Sequence, residues 1–333
     1  MHVRPVLNVW YAYMLLGRGE MEAAAARFQD AERWLEPAAT MHEMVVVDQE
    51  QFSLLPATIA VGRAYIAQTL GNIPDTVKYA SRVLELIPEG ERRRRSQAAM
   101  MLGMTHWASG NLPAAERVFA DYTLKLRAIG NLPDAISTSM VLAEIRLTLG
   151  RLHEAIETVE QCLRFVRDQG EPVPLDTADL HRELSELYLE QGNLEAATHH
   201  LRIAKELGEK AGLPILSYRL CLAQARFNQA QADLNGALAM LAEAARLYIR
   251  SPLPDFRPIA AMKARIWVAQ GRLAKALEWA RVQCLSPDDD LSYLREFEHI
   301  TFARIRIAQH QTDQQRPDHE QQQRYDPARA DEV

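Results

Sequence analysis

Small and aliphatic residues in this chain recur with helical spacing, and a short polar turn interrupts them about every forty positions. The clearest copy of the turn is Gly110-Asn111-Leu112-Pro113. The same slots are filled at Gly19-Glu20-Met21, Gly71-Asn72-Ile73, Gly150-Arg151-Leu152, Gly192-Asn193-Leu194, Ala232-Asp233-Leu234 and Gly271-Arg272-Leu273. Successive copies are 52, 39, 40, 42, 40 and 39 residues apart. The glycine stops one helix in a left-handed cap, and the following polar residue starts the next. Pro74 and Pro113 sit where a helix has no use for an N–H. Each period therefore holds helix A, which runs up to the turn, and helix B, which leaves it. A period of this length predicts an all-α solenoid of about seven helix hairpins over residues 1–309.

Three columns support that register. Seven positions before the turn stand Ala12, Ala64, Gly103, Ala143, Ser185, Ala225, Ala264 and Ala303. Five after it stand Ala24, Thr76, Ala115, Ala155, Ala197, Ala237 and Ala276. Nine after it stand Phe28, Ala80, Phe119, Val159, Leu201, Leu241 and Ala280. Small columns let helix backbones approach closely, and the last column supplies mostly larger knobs. The pattern resembles the tetratricopeptide repeat, with Tyr188 and Trp267 as the large aromatics such repeats place on helix A. The periods exceed the roughly 34 residues of that repeat, so each helix should carry most of an extra turn.

The long first interval implies an insertion. Residues 37–53 read as an extended loop, with the β-branched run Met44–Val47 as its one strand-like stretch, lying over the helices or serving to dock a partner. At the far end, 288–309 reads as a final A helix, and His310 stands where the next turn glycine is due. Residues 310–333, rich in Gln, Asp and Arg, read as a disordered polar tail.

Composition narrows the function classes. With 38 Lys and Arg against 44 Asp and Glu, the net charge is −6, which argues against direct nucleic-acid binding. No 18-residue apolar run and no leader pattern are present, so the expectation is a cytoplasmic protein without a membrane span. Cys162, Cys221 and Cys284 are sparse and unpaired in spacing, as suits small core residues in a reducing compartment.

Several stretches resemble one family. They are Arg4-Pro5-Val6-Leu7 through Trp10-Tyr11-Ala12, Ala31-Glu32-Arg33-Trp34-Leu35, Ala269-Gln270-Gly271-Arg272-Leu273 with Ala280, and above all 289–299 (Asp289-Asp290-Leu291-Ser292-Tyr293-Leu294-Arg295-Glu296-Phe297-Glu298-His299). Together they resemble the helical-repeat effector region of the MalT-like, ATP-dependent LuxR-family transcriptional regulators, over about residues 4–309. The resemblance implies repeats that sense a small inducer and hold regulatory proteins. The family's nucleotide-binding and helix-turn-helix modules have no counterpart motif here: GxxxxGK[ST] is absent, and nothing past His310 reads as a recognition helix. ATP hydrolysis and DNA binding are therefore not carried over. A stand-alone scaffold that docks a peptide or partner domain is the alternative, and self-association stays open.

Tetratricopeptide geometry would aim the position six before the turn into a concave groove. That row reads Tyr13, Tyr65, Met104, Glu144, Glu186, Arg226, Arg265 and Arg304. Positions ten and three before the turn add Met100, Met140, Arg182, Gln68, Trp107 and Gln229. Tyr65, Met104, Trp107, Glu144, Glu186, Arg226, Arg265 and Arg304 are the candidate binding residues. Guanidiniums in such a row suit carboxylate, phosphate or sugar hydroxyls, whereas a ladder of ion pairs between repeats would need no ligand. The basic run Arg92–Arg95 reads as a solvated helix start, with phosphate contact as the alternative. The neighbouring pairs His199-His200, His153-Glu154 and Glu298-His299 diverge on a helix, read as solvated, and suggest no metal site. With no GxSxG, no HExxH and no cofactor motif, the chain reads as a non-enzyme without cofactors.

Overall fold

The computed structural model describes residues 4–35, 44–87, 92–170, 174–248 and 253–315, with backbone alone at 92–97 and 315. Its described residues form sixteen α-helices and no strand. Seven A–B hairpins follow in order: α1 (Pro5–Gly17) with α2 (Met21–Glu32), then, after the short α3 (Gln49–Ser53), α4 (Leu55–Thr69) with α5 (Ile73–Leu86). Next come α6 (Arg92–Ala108) with α7 (Leu112–Ala128), and α8 (Leu132–Thr148) with α9 (Leu152–Asp168). Then follow α10 (Thr177–Glu190) with α11 (Leu194–Ala211), α12 (Pro214–Ala230) with α13 (Leu234–Leu247), and α14 (Ile259–Ala269) with α15 (Leu273–Val282). A single helix, α16 (Glu296–Gln315), comes last. The chain is an all-α helical repeat, and the long period is explained by helices such as α6 to α9, each 17 residues.

The turns form for the reasons their residues suggest. The glycines at 19, 71, 110, 150, 192 and 271 lie at φ between +69° and +79°. At Gly110 the tight ending is closed by Gly110 N–H to Trp107 O and Asn111 N–H to His106 O, at 3.0 and 2.8 Å. Asn72, Asn111, Asn193 and Asp233 then cap the B helices, each side-chain oxygen accepting from the N–H three residues on. Ala232 holds the glycine slot at φ +61°, a strained choice for an L residue.

Packing follows the columns. The position five after the turn is fully buried in all seven hairpins. The knobs nine after it are at most 4 % exposed, and Phe28 packs so tightly on α4 that a Cβ at Gly62 would fall 2.1 Å from its ring. The column seven before the turn is buried through Ala264. It fails at Ala303, which is exposed, while Thr301 and Ile305 of α16 are fully buried.

The structure differs from the sequence expectations at both irregular places. Residues 44–48 have no regular structure, but 49–53 are helical rather than extended, because Asp48 caps α3 through Gln51 N–H at 2.9 Å. Trp10 Nε1 donates to Gln51 Oε1 at 2.9 Å, tying α3 to α1; residues 36–43 lie outside the described ones. The last helix begins at Glu296 rather than Asp288, since Ser286, Asp288 and Asp289 satisfy one another in a turn. It continues to Gln315, beyond the expected stop at 309, because His310 gives no glycine cap and the residues after it tolerate helix. Residues 316–333 of the expected tail lie outside the described residues. The described residues divide into two compact units, one ending at Asp255 and one starting at Phe256.

Candidate binding face on the A helices

In the first unit, A helices pack on A helices: α1 on α4, α4 on α6, α8 on α10 and α10 on α12. The row six before the turn therefore repeats on adjacent helices. Its aromatic and Met portion is mostly core. Tyr13 packs edge-on against Phe28 and donates to Thr58 O at 2.8 Å. Tyr65 is half-buried against the small column, and burial raises its pKa. Met104 and Trp107 are each only 4 % exposed, so packing accounts for both.

The charged portion forms a network. Arg182, buried on α10, donates to Asp179 at 2.9 Å, Glu183 at 2.8 Å and Glu186 at 2.5 Å. Its Nη2 also lies 3.7 Å from Met140 Sδ. From α12, Arg226 pairs with Glu186 and Glu190, and Arg219 with Asp179 at 2.6 Å. Burial opposes the charge on Arg226, but Glu186, Glu190 and Glu144 outweigh it and hold its pKa above the ordinary value. Glu183 goes the other way. Its carboxyl is pushed up to about 7 by burial, with Glu144 and Glu186 adding to the effect against the Arg182 charge.

Glu144, Glu186 and Arg226 are thus brought within electrostatic reach, as an ionic ladder between successive A helices. Sequence reasoning missed Asp179, Glu183 and Arg219. A signal for two of them existed: Asp179 to Arg219 and Glu186 to Arg226 are both 40 residues apart, one period, with opposite charges. A period-length separation places such pairs at equivalent points on neighbouring A helices.

In the second unit, α14 packs on α16. Here Arg265 and Arg304 are set differently. The Arg265 guanidinium lies 3.5 Å from the centroid of the Phe297 ring, and its Nε donates to Thr301 Oγ1 at 2.8 Å. Among the described residues neither Arg265 nor Arg304 has a carboxylate within ion-pair distance. Burial, then Arg304 and Arg257, lower the Arg265 pKa to about 10.

Two other features bear on the sequence reading. His200 is not solvated: its ring stacks between His181, with their Nδ1 atoms 2.9 Å apart, and Tyr188. The small α10–α11 separation, set by Ala197, brings these rings together. A cleft of about 240 Å³ is lined by Arg117, Asp121, Tyr122 and Lys125 on α7, with Ala99 and Val118, and no residue of the predicted row reaches it. No helix among the described residues is long and apolar enough to cross a membrane.

Comparison with known families and structures agrees with this architecture. The model of the MalT-like TPR region matches residues 57–317, more than three quarters of the chain. The chain belongs to the MalT-like TPR family. Solved structures similar to this family member share the fold at low identity. The apo form of RapI is 14 % identical, with a TM-score of 0.57 over 84 % of this chain and 96 % of that one. A Rap protein complexed with competence and sporulation factor is 15 % identical, with a TM-score of 0.56 over 93 % and 91 %. A signal-transduction ATPase with a tetratricopeptide repeat sensor, from Pyrococcus horikoshii, is 14 % identical with a TM-score of 0.50. That match takes in 92 % of this chain and 42 % of the ATPase. A search of curated protein sequences finds no match.

Proposed function

We propose that this MalT-like TPR array is the sensor region of a LuxR-type transcriptional regulator, and that its A-helix face binds a small inducer or a regulatory protein. The observation that carries the reading is the polar row: repeats that need only small and aliphatic residues to pack place Glu144, Glu186, Arg226, Arg265 and Arg304 on their A helices. Family membership supports it, as does likeness to an ATPase whose repeats are described as a sensor. In this reading the chain itself contacts no DNA and catalyses nothing.

The test is a thermal-shift screen of the full chain against sugars, nucleotides, carboxylates and peptides. A ligand at 100 times its Kd should add about 2.7 kcal/mol to stability, and hence raise Tm by several degrees. One class alone should do so; a flat response across all classes would sink the inducer reading.

A stand-alone docking scaffold is the second reading, and one observation favours it. Leu7, Trp10, Tyr11 and Met14 are exposed on α1 at spacings of three and four, an apolar helix stripe of the kind partner helices engage. If Trp10→Glu abolished binding of a regulatory protein while small-molecule shifts stayed absent, the scaffold would replace the sensor.

A further inference from the structure

Along the A-helix row, the arginines of the two units end on different partners. In the first, Arg182, Arg219 and Arg226 all end on carboxylates. In the second, three acids are already engaged: Glu298 holds Arg295 at 3.0 Å, Glu278 holds Arg281 at 2.6 Å, and Asp289 accepts from Ser286 N–H at 3.0 Å. Arg265 is nonetheless held firmly. Phe297 lies beneath its plane and Thr301 takes its Nε–H, which leaves both Nη groups without a hydrogen bond among the described residues.

Phe297, Thr301 and Arg304 follow at four and three residues on α16, so they share one face of that helix. Arg304 is exposed and makes no hydrogen bond or ion pair among the described residues. The result is a fixed cationic fork with a second, exposed guanidinium close enough to act on it electrostatically. Two guanidiniums brought together without a carboxylate repel each other, and an anion is the chemistry that would reverse that repulsion.

We propose that Arg265 and Arg304, with Phe297 and Thr301 as the support, form a binding site for the oxyanion group, phosphate or carboxylate, of a small soluble ligand. The proposal rests on the sensor reading in that it names the ligand chemistry at one end of the same row. Arg265 supplies a planar pair of N–H donors that matches two oxygens of one oxyanion, and its rotamer is already fixed by the ring and the hydroxyl. Arg304 adds charge from the solvent side and admits the ligand. The depressed Arg265 pKa accords with a charge that the fold leaves uncompensated.

The test is titration calorimetry and thermal shift on the full chain with inorganic phosphate and with succinate, against sodium chloride at equal ionic strength. At least one of the two oxyanions should raise Tm saturably where chloride does not, and the one that does so names the group. Arg304→Gln should weaken that binding about tenfold or more, the effect expected from losing a charged hydrogen bond, while the ligand-free Tm stays level or rises slightly as the repulsion is relieved. Arg265→Lys, which keeps the charge and loses the fork, should weaken it as well. No oxyanion effect beyond chloride, or equal binding by wild type and Arg304→Gln, overturns the site. If a neutral sugar or a peptide raises Tm while both oxyanions fail, the anion site falls and the sensor reading stands. If the oxyanions bind at Arg265 and Arg304, the site stands even when no inducer class is found.

Discussion

Ala232 shows how much one turn residue matters. Six of the seven turns inside the A–B hairpins use glycine at positive φ, and this one imposes φ +61° on an alanine. A left-handed L residue costs about 1–2 kcal/mol, and glycine returns part of that through greater freedom in the unfolded chain. Ala232→Gly should therefore stabilise the protein by about 0.5–1 kcal/mol, measured by urea unfolding; a loss of stability would mean that the alanine methyl has a packing role. Two titrating groups, the partly buried His181 and the buried Glu183, act with opposite sign. Burial, aided by His200, His199 and Arg167, pushes His181 down to about 4, against an ordinary value near 6.5. Between those values the unfolded chain takes up a proton that the folded one refuses, so His181 removes stability as pH falls from 6.5 to 4. Glu183, pushed up to about 7, holds its proton in the folded state, so it adds stability as pH falls from 7 toward 4.5. His181→Gln should flatten the acid fall of Tm relative to wild type. The Tm of Glu183→Gln relative to wild type should be higher at pH 8 than at pH 5. Unchanged profiles in both variants would remove these groups as the cause.

At the scale of the helix, the ion network between α10 and α12 joins neighbouring repeats. Arg226 is nearly enclosed, and its removal would leave Glu186 and Glu190 facing one another with less compensation. Breaking such a pair costs about 3–5 kcal/mol when buried. Because Glu190 is half-exposed, Arg226→Ala should cost nearer 2–3 kcal/mol by chemical denaturation. A change below roughly 0.5 kcal/mol would show that the ladder contributes little to the stability of the fold. The helices themselves were legible in the sequence, because glycine stops, Asn caps and small columns act within a few residues. The turn Gly130-Asn131-Leu132-Pro133, identical in sequence to 110–113, went unread because it joins a B helix to the next A helix and so falls outside the chosen register. Helix α3 was missed because Asp48 caps a stretch too short for periodicity to register. The candidate row was legible as positions but not as partners. Whether an arginine ends on a carboxylate, as Arg226 does, or on a ring and a hydroxyl, as Arg265 does, depends on side chains 32 to 40 residues away.

Among the described residues, every substantial helix–helix contact joins elements within about one repeat of each other. Stability in such a chain is a sum of repeat and nearest-neighbour terms, so damage should stay local. Ala197 is a sensitive place to test this, since it is fully buried where α11 meets α10 and α12. A leucine there has no room, and overpacking costs about 1–3 kcal/mol. Hydrogen exchange of Ala197→Leu should show faster exchange in α10 to α13, while peptides from α1, α2 and α15 keep their wild-type rates. The same experiment bears on sensing. A ligand bound through the A-helix row slows exchange first in the repeats it touches, so its footprint can be read against the Ala197→Leu pattern. If exchange instead rises uniformly from α1 to α16, the chain unfolds as one cooperative body, and a ligand at one end would then be felt at the other.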